Sequence, residues 1–168
     1  EGDYYLSRTE LKKLVTQFLE NHIHVVLIGS RRFGKTSFVL NLLKSLERHE
    51  ESCLFVDIFN ITSHRDFLQQ MVRALNNKTS WSQSLLRFFK SLGKMKPVMA
   101  VEIDPHDGSP QATFQFDKSS DKDVKEAIQD VLEGLIKLGK KVVLAIDEFQ
   151  KITELDDHGW LEATLRTH

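Results

Sequence analysis

The chain has 168 residues, a length typical of one domain, and 40% of them are hydrophobic, so a sizeable core can be buried. The formal net charge of −1 gives no overall attraction to nucleic acid or to an anionic membrane. Cys53 is the only cysteine, which excludes an internal disulfide and favours a reducing, cytoplasmic setting. The sequence shows no apolar stretch long enough to span a bilayer and no secretory signal, so we expect no membrane partner.

Hydrophobic periodicity predicts helices alternating with strands. A capping box at Ser7–Glu10 opens a first helix, a strand follows at about 23–28, and a second helix spans about 35–48. The apolar run Cys53–Phe59 is typical of a strand covered on both faces. The remaining predicted elements are helices opening near residues 63, 81, 122 and 160, and a strand at 141–146. This alternation, with short connections, predicts an α/β sandwich with a mainly parallel central sheet.

One segment, 97–117, breaks the alternation. Val98–Ile103 and Ala112–Phe116 both have the pattern of extended chain. The residues between them, 104–110, are dense in turn formers. The segment is therefore predicted to be a β-hairpin inserted into the parallel α/β arrangement.

The segment Gly29–Thr36 (GSRRFGKT), here named the phosphate loop, matches G-x-x-x-x-G-K-[ST] between a predicted strand and a predicted helix. Its two glycines let the backbone curl so that successive N–H groups converge on phosphate oxygens, and the helix N-terminus adds partial positive charge. Lys35 is predicted to contact the β- and γ-phosphates, and the Thr36 hydroxyl to ligate Mg²⁺. The predicted nucleotide contacts here are Gly29, Ser30, Arg31, Arg32, Phe33, Gly34, Lys35, Thr36 and Ser37. We expect one of the two arginines to approach phosphate or an acid and the other to face solvent, and the sequence leaves open which.

A second pattern, Lys141–Glu148, is an apolar strand that ends in two acids. An acid at the end of a buried strand is unfavourable unless it meets a cation or hydrogen-bond donors. Asp147 is therefore predicted to coordinate the metal, through a water molecule. Glu148 should point elsewhere, and it is the candidate general base that polarises the attacking water.

Three further polar positions leave alternatives open. Gln150 either contacts the γ-phosphate region or caps the local loop, with the second favoured. Asp57 either supports the magnesium site or makes local hydrogen bonds at the end of its strand, again with the second favoured. His22 and His24 have the spacing of a metal pair, but no third ligand is obvious nearby in the sequence.

These motifs resemble those of a known family. Gly29–Ser37 resembles the G-x-R-R-x-G-K-[ST]-S loop of archaeal-type P-loop ATPases of the AAA+/STAND group. Ile146–Gln150 (IDEFQ) is similar to that group's D-E-F-Q segment, and Leu6–Leu11 is similar to its N-terminal G-R-x-x-E-L box, with a serine in place of the glycine. Because this box lies near the adenine in the group, the resemblance implies that Leu6 and Arg8 contribute to the base pocket.

The resemblance also implies a fold and cofactors. It implies that 1–168 is the N-terminal portion of a P-loop NTPase three-layer sandwich that uses ATP or ADP and Mg²⁺. In such ATPases a sensor strand inserts between the acidic strand and the strand of the phosphate loop, and a helical lid follows. The sequence stops before these parts, so we expect either that the complete protein continues or that the gap is filled in another way.

The predicted function is that of a Mg²⁺-dependent ATPase acting as a nucleotide-driven switch, with very slow turnover in this fragment alone. A protein partner or self-association through the missing regions is expected, and nothing in the charge pattern indicates DNA. The alternative is a non-hydrolysing nucleotide-binding scaffold. A GTPase is disfavoured because Asn77-Lys78-Thr79-Ser80 lacks the aspartate of N-K-x-D, and no arginine-rich lid indicates a kinase.

Overall fold

The computed structural model describes residues 8–30, 32–47, 52–76, 97–103, 110–116, 120–137 and 141–167. In chain order the elements are α1 (Arg8–Glu20), α2 (Lys35–Glu47), β1 (Ser52–Asp57), α3 (His64–Asn76), β2 (Pro97–Ile103), β3 (Pro110–Phe116), α4 (Asp121–Lys137), β4 (Val142–Asp147), a 3-10 helix (Phe149–Glu154) and α5 (His158–Thr167). The predicted helix opening near residue 81 lies outside the described residues, as do Leu6, Ser7 and Arg31.

The chain divides into two compact units. The first comprises Glu1–Leu54 with Lys141–Ala145, and the second comprises Phe55–Lys140 with Ile146–His168. The phosphate loop belongs to the first unit, whereas the acids Asp147 and Glu148 belong to the second. Each unit is described by itself below.

The strands β1 and β4 pair side by side in a small sheet. The Ser52 N–H donates to the Lys141 carbonyl at 2.9 Å, and the Ile58 N–H donates to the Asp147 carbonyl at 3.3 Å. From the first bond to the second, both chains advance by six residues in the same direction (58 − 52 and 147 − 141), so the pairing is parallel. This agrees with the prediction of parallel pairing, while the three-layer sandwich stays a prediction.

Burial along β1 explains its apolar sequence. Cys53, Leu54 and Val56 are all buried, so side chains on both faces of the strand are covered. That is the arrangement of a strand in a parallel sheet, as the continuous apolar run predicted. Asp57 is the last residue of the strand, and it is exposed.

In the first unit, α2 buries the apolar face that its periodicity predicts, consisting of Phe38, Leu42, Leu43 and Leu46.

The helix α1 buries only Val15 fully. Its C-terminus is closed by a Schellman motif, in which the Ile23 N–H donates to the Phe18 carbonyl at 2.9 Å and the His22 N–H donates to the Leu19 carbonyl at 3.1 Å. His22 takes the left-handed conformation that this motif needs, with φ 58°.

The prediction of a strand at 23–28 is wrong. Residues 23–30 have no regular secondary structure, and no backbone hydrogen bond among the described residues pairs 24–29 with another strand. The side chains of Val26 and Ile28 are 73% and 93% exposed. The sequence has the apolar pattern of a strand, but a strand also requires a neighbour to accept and donate ladder hydrogen bonds.

In the second unit, α3 and α4 pack against each other through their buried apolar faces. The two buried faces recur at helical spacing, with Phe67, Leu68, Met71, Val72 and Leu75 on α3 and Val124, Ala127, Ile128, Val131, Leu132 and Leu135 on α4. Both helices were predicted from this periodicity.

Each of these helices has a side-chain cap. At α3, the Ser63 hydroxyl accepts from the Asp66 N–H at 3.2 Å, and Asp66 Oδ2 accepts from the N–H and the hydroxyl of Thr62 at 2.9 and 2.8 Å. At α4, Ser120 and Asp123 form a reciprocal capping box, in which each side chain accepts from the other's N–H at 3.3 and 3.1 Å. These local bonds fix where both helices begin.

The strands β2 and β3 pair antiparallel, with Pro97 opposite Phe116, Ala100 opposite Thr113 and Ile103 opposite Pro110. The connection at 104–109 lies outside the described residues, and the assignment of 97–117 as an insertion stays a prediction. Among the helices that the structure describes, none is long and apolar enough to cross a membrane.

Candidate functional site

The phosphate loop takes a tightly curled conformation before α2. Arg32 and Gly34 both have left-handed backbone angles, with φ 65° and 73°. The Phe33 N–H donates to the Ser30 carbonyl at 3.4 Å, and the Phe38 N–H donates to the Gly34 carbonyl at 2.9 Å, which closes the first turn of the helix. Left-handed residues among right-handed ones turn successive N–H groups toward one side, which is the geometry of an anion-binding nest.

The Lys35 side chain folds back along this loop. Its Nζ donates to the Gly29 carbonyl at 2.8 Å and to the Ser30 carbonyl at 3.0 Å. An ammonium group has three donors, so one remains after these two bonds. The ammonium is thus held at the start of the loop, where the motif requires a cation for phosphate.

The first turn of α2 presents two hydroxyl residues. Thr36 and Ser37 are both exposed. The Ser37 carbonyl accepts from Asn41 Nδ2 at 2.9 Å, a bond that lies along the helix. Phe33 is 77% exposed, so this part of the loop is not packed against the described core of its unit. The loop is therefore accessible, as a phosphate site must be.

Arg8, the first residue of α1, lies against the phosphate loop. A Cβ atom built at Gly34 would come within 2.9 Å of Arg8 Nη2, so the guanidinium occupies the space beside the glycine. Arg8 forms no hydrogen bond or ion pair with any other described residue. The structure thus brings together two predicted site residues of the first unit, while the base-pocket role of Arg8 stays a prediction.

In the second unit, β4 ends in the predicted acidic pair. Asp147 Oδ1 accepts from the Glu148 N–H at 3.1 Å. The Glu148 backbone has the left-handed conformation, with φ 57° and ψ 36°. Its carbonyl accepts a hydrogen bond from the Lys151 N–H at 2.8 Å. The chain therefore turns sharply after Asp147, and the separate roles of the two acids stay a prediction.

The Glu148 carboxylate has a specific partner. Gln150 Nε2 donates a hydrogen bond to Glu148 Oε2. Neither of the sequence interpretations of Gln150, a γ-phosphate contact or a loop cap, named this bond. Because Glu148 and Gln150 lie only two residues apart, the left-handed turn at Glu148 is what allows the two side chains to meet.

Asp57 makes a local hydrogen bond at the end of its strand, which was the favoured of its two interpretations. Its Oδ1 accepts from the Phe59 N–H at 2.9 Å, closing a turn after β1. The side chain is exposed at this end of the strand. The local hydrogen bond accounts for an aspartate at this position without a metal.

The described residues contain no group of three or more His, Cys, Asp or Glu side chains that would hold a metal ion. A magnesium site of the predicted kind does not need one, because Mg²⁺ is commonly bound by one or two protein oxygens, water and substrate phosphates. The Thr36 hydroxyl and the Asp147 carboxylate are hard oxygen donors of the type that Mg²⁺ prefers. By donor chemistry each of these two residues, taken within its own unit, fits the ion.

Sequence reasoning missed a polar cluster in the second unit. His64 on α3 is 5% exposed, and its Nδ1 lies 3.3 Å from Asp121 Oδ1 on α4. Lys125 Nζ lies 3.1 Å from Asp121 and 2.7 Å from Asp157, and 5.3 Å from the ring centre of Trp160. No local spacing signals this cluster, because its members come from three helices and the turn before α5.

Charge and ring contacts hold the cluster together. Hydrogen bonds from Lys125 lower the pKa of Asp157 and the pKa of Asp121, and hydrogen bonds to the two carboxylates raise the pKa of Lys125. The His64 ring meets the Trp160 ring edge to face, with centroids 5.4 Å apart. These contacts join α3, α4 and α5, so the cluster has a structural role.

Comparison with protein families gave one match, which covers residues 8–166. The matched family is described as an ATPase domain predominantly from Archaea. Comparisons with curated proteins and with solved structures gave no significant match. The matched range contains both the curled phosphate loop and the acidic end of β4. The chain therefore belongs to this family of P-loop ATPase domains.

Proposed function

We propose that this domain binds ATP with Mg²⁺, hydrolyses it, and acts as a nucleotide-driven switch. The observation that carries the proposal is the phosphate loop, in which left-handed Arg32 and Gly34 lead directly into α2. Membership of an ATPase family supports nucleotide binding by this loop. The switch and the metal go beyond what family membership alone gives.

In this proposal the loop binds the phosphates with its main-chain N–H groups. The Lys35 ammonium, now on the Gly29 and Ser30 carbonyls, turns its donors to the β- and γ-phosphates when nucleotide binds. Exchange of neutral carbonyl acceptors for charged phosphate oxygens strengthens each hydrogen bond. The lysine is held ready at the loop, so little side-chain ordering is needed on binding.

Thr36 and Asp147 are the residues that would hold Mg²⁺. When bound, the ion neutralises charge on the β- and γ-phosphates. The Glu148 carboxylate orients the attacking water and accepts its proton while the water oxygen bonds to the γ-phosphorus and the bond to the bridging oxygen breaks. A fragment without further positive groups at the γ-phosphate should turn over slowly.

A second candidate function is a nucleotide-binding scaffold without turnover. It is favoured if the bond from Gln150 holds the Glu148 carboxylate away from the attacking water, whereas hydrolysis requires that the bond orient the carboxylate toward it. Under either function, loss or gain of nucleotide would be sensed by a protein partner or by a second copy of the chain.

The test is binding and turnover of ATP and GTP by the intact protein, for wild type, Lys35→Ala and Glu148→Gln. We expect Lys35→Ala to abolish nucleotide binding and Glu148→Gln to retain bound ATP without hydrolysis. Lys44→Ala is the matched control, because Lys44 is an exposed lysine on the same helix, remote from the loop in sequence. Equal turnover in wild type, Lys35→Ala and Glu148→Gln would refute the mechanism, and ATP binding with no turnover even in wild type would favour the scaffold.

A further inference from the structure

The contact between Arg8 and the phosphate loop indicates more than packing. Arg8 starts α1, and its guanidinium fills the space beside Gly34 that any larger residue would need, with 2.9 Å between Nη2 and the position of a Cβ atom. Both residues belong to the first unit. The guanidinium therefore lies at the point where the loop becomes α2.

This position is electrostatically unfavourable for a cation. The N-terminus of a helix carries partial positive charge, and it repels lysine and arginine. The ammonium of Lys35 lies in the same loop, and Arg32 is exposed there as well. None of these three cations forms an ion pair with a carboxylate among the described residues. An anion is what would make this arrangement favourable.

We infer that Arg8 binds phosphate oxygens of the nucleotide, together with the phosphate loop. The guanidinium presents a planar fork of donors that matches two phosphate oxygens, and it stays charged at all relevant pH values. Adenine carries no charge and would leave the Arg8 guanidinium without a counterion. Arg8 is thus a phosphate-binding and positioning residue, where the family resemblance alone implied the base pocket.

The role of Arg8 rests on the proposed function, so its test needs a ligand with phosphates and no base. Inorganic tripolyphosphate with Mg²⁺ meets this requirement. Its affinity, and those of ATP and GTP, are measured by titration calorimetry on wild type, Arg8→Ala, Arg8→Gln and Arg8→Lys. The control on the same helix is Lys13→Ala, because Lys13 is exposed and lies more than one turn away.

We expect Arg8→Ala and Arg8→Gln to weaken tripolyphosphate binding roughly ten- to a hundredfold, the loss typical of a hydrogen bond between charged groups. ATP and GTP should weaken by the same factor, so the ratio of their affinities stays constant. Arg8→Lys should lose less because it keeps the charge, and Lys13→Ala should bind as wild type does.

Two outcomes would overturn the assignment, and they differ from failure of the proposed function. If tripolyphosphate binds all Arg8 variants as it binds wild type, while the ratio of ATP to GTP affinity changes, Arg8 contacts the base. If all three ligands bind the Arg8 variants as wild type, while Lys35→Ala abolishes binding, Arg8 has no part in the site. If wild type itself binds neither ATP nor tripolyphosphate, the proposed function fails, and the role of Arg8 fails with it.

Discussion

Single residues in left-handed backbone conformations shape the phosphate loop of the first unit and the acidic strand end of the second. Arg32 and Gly34 curl the phosphate loop, and Glu148 turns the chain after Asp147. Residues other than glycine rarely adopt this conformation, which costs them about 1 kcal/mol. Where such residues cluster at functional sites, the conformation positions a backbone or a side chain for its role.

The two glycines of the phosphate loop should respond differently to alanine. Gly34→Ala places a Cβ at a left-handed position and against Arg8 Nη2 at 2.9 Å. A Cβ at Gly29 would meet only Lys35 Cδ at 3.7 Å, an ordinary contact. We expect Gly34→Ala to lower the free energy of unfolding by about 1 kcal/mol and to weaken ATP binding at least tenfold, about 1.4 kcal/mol.

Gly29→Ala is the matched control for stability, because a Cβ atom has room there, so it should change the free energy of unfolding little. Urea unfolding and ATP titration measure the two effects. If Gly34→Ala and Gly29→Ala give the same free energy of unfolding, the interpretation of the loop is wrong.

The hydrogen bond from Gln150 should orient Glu148 for catalysis. Gln150→Ala removes the donor, so the carboxylate gains freedom and we expect kcat to fall about tenfold, with the KM for ATP nearly unchanged. Gln150→Glu keeps the size of the side chain but places a second carboxylate beside the first, so its kcat should fall further. Steady-state ATPase assays measure both constants.

Gln129→Ala is the control for the two Gln150 variants, because Gln129 is an exposed glutamine on α4. Its kcat should match that of wild type. An unchanged or increased kcat in Gln150→Ala would show that the bond does not serve turnover. An increase would mean that Gln150 restrains the base instead.

At the scale of elements, the cap of α3 makes stability depend on pH. Burial raises the pKa of Asp66, but hydrogen bonds from Thr62 and Ser63 outweigh it, so the pKa of Asp66 is lowered. A carboxylate with a lowered pKa in the folded state stabilises the protein above its unfolded pKa, about 4, and this stabilisation is lost as the pH falls through the folded pKa.

Asp66→Asn should therefore destabilise the protein near neutral pH and make little difference once the pH falls below the folded pKa of Asp66. Urea unfolding of wild type and variant at pH 7 and at about pH 2 tests this, because the folded pKa of Asp66 lies below the ordinary aspartate pKa of about 4. Asp156→Asn, an exposed aspartate before α5, is the control and should show little loss at either pH. A deficit in Asp66→Asn that is equal at both pH values would contradict the role of the charged cap.

Elements with strong local signals were predictable from sequence. The helices α2, α3 and α4 repeat apolar residues at helical spacing, and the phosphate loop was recognisable from the spacing of its glycines and lysine. The segment 23–28 was not predictable in the same way, because a strand exists only through its partner. The cluster around His64 was missed for a related reason, since its ion pairs join residues that meet only after α3, α4 and α5 pack.

At the scale of the whole molecule, two compact units each contribute one part of the predicted chemistry. The first holds the phosphate loop with Lys35 and Arg8, and the second holds Asp147, Glu148 and Gln150. The buried core of α3 and α4 and the parallel pairing of β1 with β4 place the acids at a strand end. The family match spans residues of both units.

The exposure of Val26 and Ile28 has a consequence for handling the protein in solution. A short apolar stretch of extended pattern, rich in β-branched residues and without proline, is the type of sequence that pairs with copies of itself. Here the stretch leads straight into the phosphate loop. Concentrated samples of this chain should therefore be prone to sheet-like aggregation, and a ligand that stiffens the adjoining loop should slow it.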